Sequence, residues 1–88
     1  MKLYTKTVCP KCMYAKTWIN ASDKKVEIIN IEDDTTEAKE AYKMLKENDI
    51  MAVPVLDIGH ALLVELNDIQ EALLGWLSTQ VEQVTLNT

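Results

Sequence analysis

With 88 residues, the chain is long enough for one domain and too short for two. Its 14 Asp and Glu against 9 Lys and Arg leave a net charge of −5, which argues against general binding to nucleic acid or to an anionic membrane. Hydrophobic residues make up 48%, an ordinary globular share, yet no run of about 18 apolar residues exists to cross a bilayer.

Met1-Lys2-Leu3-Tyr4-Thr5-Lys6 reads as a strand entered at once, with no signal-peptide pattern, so a cytoplasmic location is expected. Lys6-Thr7-Val8 is then a loop, and Cys9-Pro10-Lys11-Cys12 follows it. Pro10 suits the first position of a helix, where no N–H is needed and φ is already set. Cys9 then falls at the N-cap, facing free backbone N–H groups and the positive end of the helix dipole, a setting that favours a thiolate. Cys12 lies one turn further in, close enough to close a disulfide. The helix is expected to run from here to about Asn20, with Cys12, Ala15, Trp18 and Ile19 on one face toward the core.

A Cys-x-x-Cys pair has three readings: half of a zinc site, a buried structural pair, or a redox pair. The chain has two Cys and one His, short of the four ligands of a closed structural zinc site. The strand-to-helix setting and a reducing compartment favour the redox reading, with one attacking and one resolving thiol.

Val26 to Ile31 reads as a second strand, apolar enough to suggest burial on both faces. Asp34, with Glu37 three residues on, is expected to cap a second helix that buries Ala38, Ala41, Tyr42 and Leu45 and turns its lysines and glutamates outward. Val55 to Ile58 is a third strand and Ala61 to Val64 a fourth, joined by a Gly59-His60 hairpin. His60, the only histidine, is expected to sit exposed at the turn. Asn67-Asp68 is expected to open a last helix carrying Ile69, Ala72, Leu73, Trp76 and Leu77, with Gly75 inside it. Residues 1–78 form the expected domain, and 79–88 a tail or helix extension. The order β-α-β-α-β-β-α predicts an α/β fold: a mixed four-stranded sheet with three helices, a parallel crossover first and an antiparallel hairpin last.

That order, with Cys-Pro-x-Cys after the first strand and Val53-Pro54 before the third, resembles the glutaredoxin family and its thioredoxin-like fold over residues 1 to about 78. The resemblance implies a small dithiol thiol–disulfide oxidoreductase that needs no bound organic cofactor, with Cys9 and Cys12 catalytic. It also implies a cis Val53-Pro54 bond beside the disulfide, with Val53 offering backbone hydrogen bonds to substrate. Lys6 matches a lysine for a glutathione carboxylate. Asp68 matches an aspartate for the γ-glutamyl group, though it also reads as a helix cap. Pro10 and Lys11 complete the expected substrate-facing set, and no metal ligand is expected.

Three departures bear on the electron donor. Lys11 stands where the family usually has Tyr, Val64-Glu65 where it has Gly-Gly, and Ala52 where it often has Thr. A Val side chain and an added carboxylate act against glutathione. The chain thus resembles the glutaredoxin-like redoxins that take electrons from thioredoxin reductase, a flavoprotein, and feed ribonucleotide reductase. Either donor leaves a monomer acting on a protein disulfide. The alternatives from other classes are an iron–sulfur cluster carrier built on Cys9 and external thiols, and a redox-inactive binding module.

Overall fold

The computed structural model describes residues 1–75. The expected positions Trp76 and Leu77 and the tail 79–88 lie outside the described residues. The elements follow the predicted order: β1 (Lys2–Thr5), α1 (Pro10–Ala21), β2 (Glu27–Asn30), α2 (Thr36–Glu47), β3 (Val55–Asp57), β4 (Leu62–Leu63) and α3 (Leu66–Leu74). They form one α/β layer structure with strand order β2-β1-β3-β4. β1 pairs parallel with β2, so α1 is the crossover between them, while β1–β3 and β3–β4 are antiparallel. No helix among the described residues is long and apolar enough to cross a membrane.

Alternation along the strands divides the core in two. Leu3 and Leu56 are fully buried on one face, against Ala15, Ile69 and Leu73 from α1 and α3. Tyr4 and Val55 point to the other, against Ala38, Ala41 and Leu45 of α2. Trp18 and Ile19 pack partly buried against the first cluster, as the helical spacing predicts. The Tyr4 hydroxyl donates to Asp57 at 3.2 Å. Burial, and then the Asp57 carboxylate, push its pKa up to about 12.

Four expectations need correction. β2 is not buried on both faces: among the described residues it is an edge strand, and Ile28 is 45% exposed there. The cap of α2 is Thr35, not Asp34. Thr35 has extended backbone angles and its Oγ1 accepts the Ala38 N–H at 3.1 Å, while Asp34 reaches outward to Lys39 at 3.0 Å. Tyr42 is not a core residue of α2: it is 50% exposed, and Met44 packs partly buried against the core instead. α3 starts one residue earlier than Asn67, with Glu65 at a cap position that makes no side-chain bond, and it ends at Leu74. Gly75 closes that helix with φ +59 rather than sitting inside it.

The hairpin is as expected. The Ile58 N–H donates to the Ala61 carbonyl at 3.1 Å across Gly59 and His60, and Gly59 has φ +103, a conformation that favours a residue without Cβ. His60 is exposed at its tip.

Candidate active site

The site forms where the C-terminal end of β1 gives way to α1. Cys9 is the N-cap of that helix, with extended backbone angles, and Pro10 follows at the first helical position. The Cys12 N–H donates to Cys9 Sγ at 3.1 Å, so the sulfur takes the place that a Ser or Asp oxygen takes in ordinary capping. Cys9 and Cys12 are joined in a disulfide, with their Cα atoms 5.2 Å apart. Their exposures differ: Cys9 is half-buried, and Cys12 is 1% exposed, held on the inner face of α1. The outer sulfur is the one a second molecule can reach.

The second wall comes from far along the chain. The Val53 carbonyl oxygen lies 3.8 Å from Cys9 Sγ, a contact between residues 44 apart in sequence. In the disulfide this sulfur has no proton, and the contact is one of packing. On reduction the same oxygen faces a thiol that can donate. The Val53-Pro54 bond is cis, as expected, and Pro54 is buried behind it. Backbone geometry thus places Cys9, Cys12, Val53 and Pro54 together.

The other expected residues divide. Lys6 is half-buried and lines a cleft with Val53. Pro10 and Lys11 are exposed in the first turn of α1, adjoining Cys9 in the chain. Asp68 is exposed in the first turn of α3. Its carboxylate makes no hydrogen bond or ion pair among the described residues, so it does not cap the helix through its side chain. Val64 is 49% exposed and Glu65 is exposed, at the junction between β4 and α3.

One residue of the site carries no signal in the sequence. Glu32 Oε1 accepts the Thr7 N–H at 2.7 Å. Asn30 Nδ2 donates to Thr7 Oγ1 at 3.1 Å, and the Glu32 N–H donates to Asn30 Oδ1 at 2.9 Å. These bonds tie the loop before Cys9 to the chain leaving β2. The bond from Thr7 holds the Glu32 carboxyl below its usual range, and the nearby Lys6 ammonium adds to this.

A cysteine pair at a helix N-terminus, one half-buried and one fully buried, beside a cis-proline turn, is chemistry for disulfide exchange. The glutaredoxin family model matches residues 1–63, more than two thirds of the chain. The chain belongs to the glutaredoxin family. Neither a curated protein nor a solved structure matches it. As a glutaredoxin it has the thioredoxin-like fold and, at the general level, belongs among thiol–disulfide oxidoreductases. The matched region takes in the disulfide, the cis-proline turn and both strands of the hairpin.

Proposed function

We propose that this glutaredoxin reduces protein disulfides in the cytoplasm as a dithiol reagent, and that a flavoprotein of the thioredoxin reductase kind, rather than glutathione, returns its electrons. The observation that carries the first half is the asymmetry of the pair: a half-buried Cys9 at the helix cap and a Cys12 with 1% exposure beneath it. In the reduced protein, the Cys12 N–H and the helix dipole stabilise a Cys9 thiolate. This thiolate attacks one sulfur of the substrate disulfide. That S–S bond breaks, and the departing sulfur takes a proton. Cys12 then loses its proton and attacks Cys9 Sγ. The mixed disulfide breaks, the substrate leaves with two thiols, and Cys9–Cys12 holds the oxidation. Two electrons have passed from protein to substrate, with no bound organic cofactor.

The choice of donor rests on Val64 and Glu65. Close approach of glutathione backbone needs a residue without Cβ, and Val64 instead presents an exposed side chain. Glu65 is exposed, engages in no cap bond, and repels a ligand that carries two carboxylates. Glu32 places a carboxylate near Lys6, the cation that otherwise favours glutathione. Ribonucleotide reductase, whose turnover leaves a disulfide, is a substrate of the required class. The cycle needs one protomer, no metal, no nucleic acid and no membrane. The test is turnover with NADPH and thioredoxin reductase beside turnover with glutathione and its reductase, at matched physiological concentrations. The flavoprotein is expected to drive the faster cycle. Efficient glutathione turnover without response to thioredoxin reductase overturns the donor assignment.

A further inference from the structure

We infer that Glu32 is a positioning residue for the exchange reaction: as a hydrogen-bond acceptor it braces the loop that carries Cys9 and holds that sulfur against the first turn of α1. The inference rests on the reading of Cys9 as the attacking thiol. Lys6, Thr7, Val8 and Cys9 are all that separates β1 from α1. Ahead of Cys9, Thr7 is the one tethered member of this loop among the described residues. Its N–H donates to Glu32 Oε1 at 2.7 Å, and its Oγ1 accepts from Asn30 Nδ2 at 3.1 Å. The two partners are bonded to each other, Glu32 N–H to Asn30 Oδ1 at 2.9 Å. Between them, the Ile31 N–H donates to the Thr5 carbonyl at 2.9 Å. The brace is therefore fixed to the end of β1, and Thr7 is held from a rigid base.

Two roles are open to Glu32: counter-charge to Lys6, or acceptor for the loop. The Thr7 bond is the main cause that lowers the Glu32 pKa, and the Lys6 ammonium contributes least. Lys6 and Glu32 form no ion pair among the described residues. A short bond from N–H to carboxylate is directional and charge-assisted, whereas two separated charges in water are screened. Glu32 acts through the bond.

The fold gains little from this brace. Thr7 and Glu32 are both exposed, so breaking their bond hands each group to water and strands neither. Cys9 depends on it more. The directed contact that stabilises its thiolate is the Cys12 N–H, 3.1 Å from the sulfur, and the Val53 carbonyl lies 3.8 Å away on the other side. Hydrogen bonds weaken steeply as they bend or lengthen. A loop released at Thr7 lets the sulfur drift from the N–H, and the thiolate loses its support. Lys6 and Lys11, the charged neighbours of Cys9 in the chain, are unchanged in every variant below.

The experiment uses the full-length, reduced protein. Alkylation of Cys9 by iodoacetamide is followed against pH and read as the midpoint of the profile, which does not scale with the amount of active protein. Glu32→Leu removes the acceptor at similar bulk. It should move the midpoint up and leave Cys9 roughly three- to tenfold less reactive at a fixed pH below it. Glu32→Gln, an acceptor without charge, should restore the parent midpoint. Thr7→Ala, which deletes the Oγ1 leg alone, should shift the midpoint the same way by less, and Asp33→Ala should not shift it. A parent midpoint in Glu32→Leu overturns the brace. So does a Glu32→Gln midpoint away from the parent's, which would assign the effect to charge. Reduction of the neutral disulfide of 2-mercaptoethanol by the parent is measured alongside. If the parent reduces it, either failure removes the brace alone; if it does not, the redox reading falls as well.

Discussion

At the scale of single residues, the two sulfurs differ in access and in electrostatics. Cys9 is at the helix cap with an N–H aimed at its sulfur, and Cys12 is 1% exposed. After reduction, iodoacetamide at mildly acidic pH should label Cys9 well before Cys12, as peptide mass analysis would show. Equal labelling would sink the assignment of attacking and resolving roles. Cys12→Ser should accumulate a mixed disulfide with substrate, and Cys9→Ser should abolish reduction. Glu32 gives a pH signature. Its carboxyl is held below the ordinary 4.5, so its bond to Thr7 contributes fully above that value and is lost as pH falls through the lower, folded one. Glu32→Gln, which keeps an acceptor for the Thr7 N–H, should flatten the acid limb of a urea-midpoint curve, whereas Asp33→Asn should not. Tyr4 acts at the opposite end. Its raised pKa means the folded state keeps a proton that the unfolded chain loses near 10. Stability tied to Tyr4 is whole below pH 10 and falls as pH rises toward about 12, by roughly 2–3 kcal/mol in all. Tyr4→Phe should remove that alkaline slope.

At the scale of elements, helix starts are where reading and structure diverge. Asp34 and Thr35 are both good N-cap residues, and sequence alone does not order them. The structure places the cap bond on Thr35 and leaves Asp34 in an exposed pair with Lys39. Thr35→Ala should therefore cost about 1 kcal/mol in denaturant unfolding, and Asp34→Ala no more than about 0–1 kcal/mol; the reverse ranking would restore the sequence-based cap. The local half of the site was legible for a matching reason. A cysteine before Pro10 and another three residues on are features of a single turn, and so are the hairpin signals at Gly59 and His60. What stayed hidden spans elements. The Thr7–Glu32 bond joins residues 25 apart, and no pattern along the chain marks it. Tyr42 kept helical spacing with Ala38 and Leu45, but its exposure depends on how the loop through Ile50 and Met51 passes α2. The edge position of β2 follows from strand order, which composition does not determine: an apolar strand reads alike at the edge and the centre. The cis state of Val53-Pro54 was expected only through family resemblance.

At the scale of the whole molecule, a thin sheet with a core on each face carries a site at one end. A domain this small has little stability to spare. Leu56→Ala, at a position with no exposure, should cost on the order of 2–5 kcal/mol and leave much of the chain unfolded at 37 °C. Changing Val64 and Glu65 together to Gly tests the donor assignment from the protein's side. Both are exposed at the junction of β4 and α3, so the core is untouched. The double variant should gain glutathione-dependent turnover that the parent lacks; no gain would show that something other than this junction sets the donor. The bond between Cys9 and Cys12 joins residues only three apart. Closing so short a ring removes about 2 kcal/mol of freedom from the unfolded chain, against nearly 5 for a ring of about a hundred residues. Such a bond is a weaker staple than a long-range one, and neither cysteine belongs to either core cluster. The crosslink is therefore suited to act as a reagent, opened and remade at a smaller cost in stability than a long-range staple would exact.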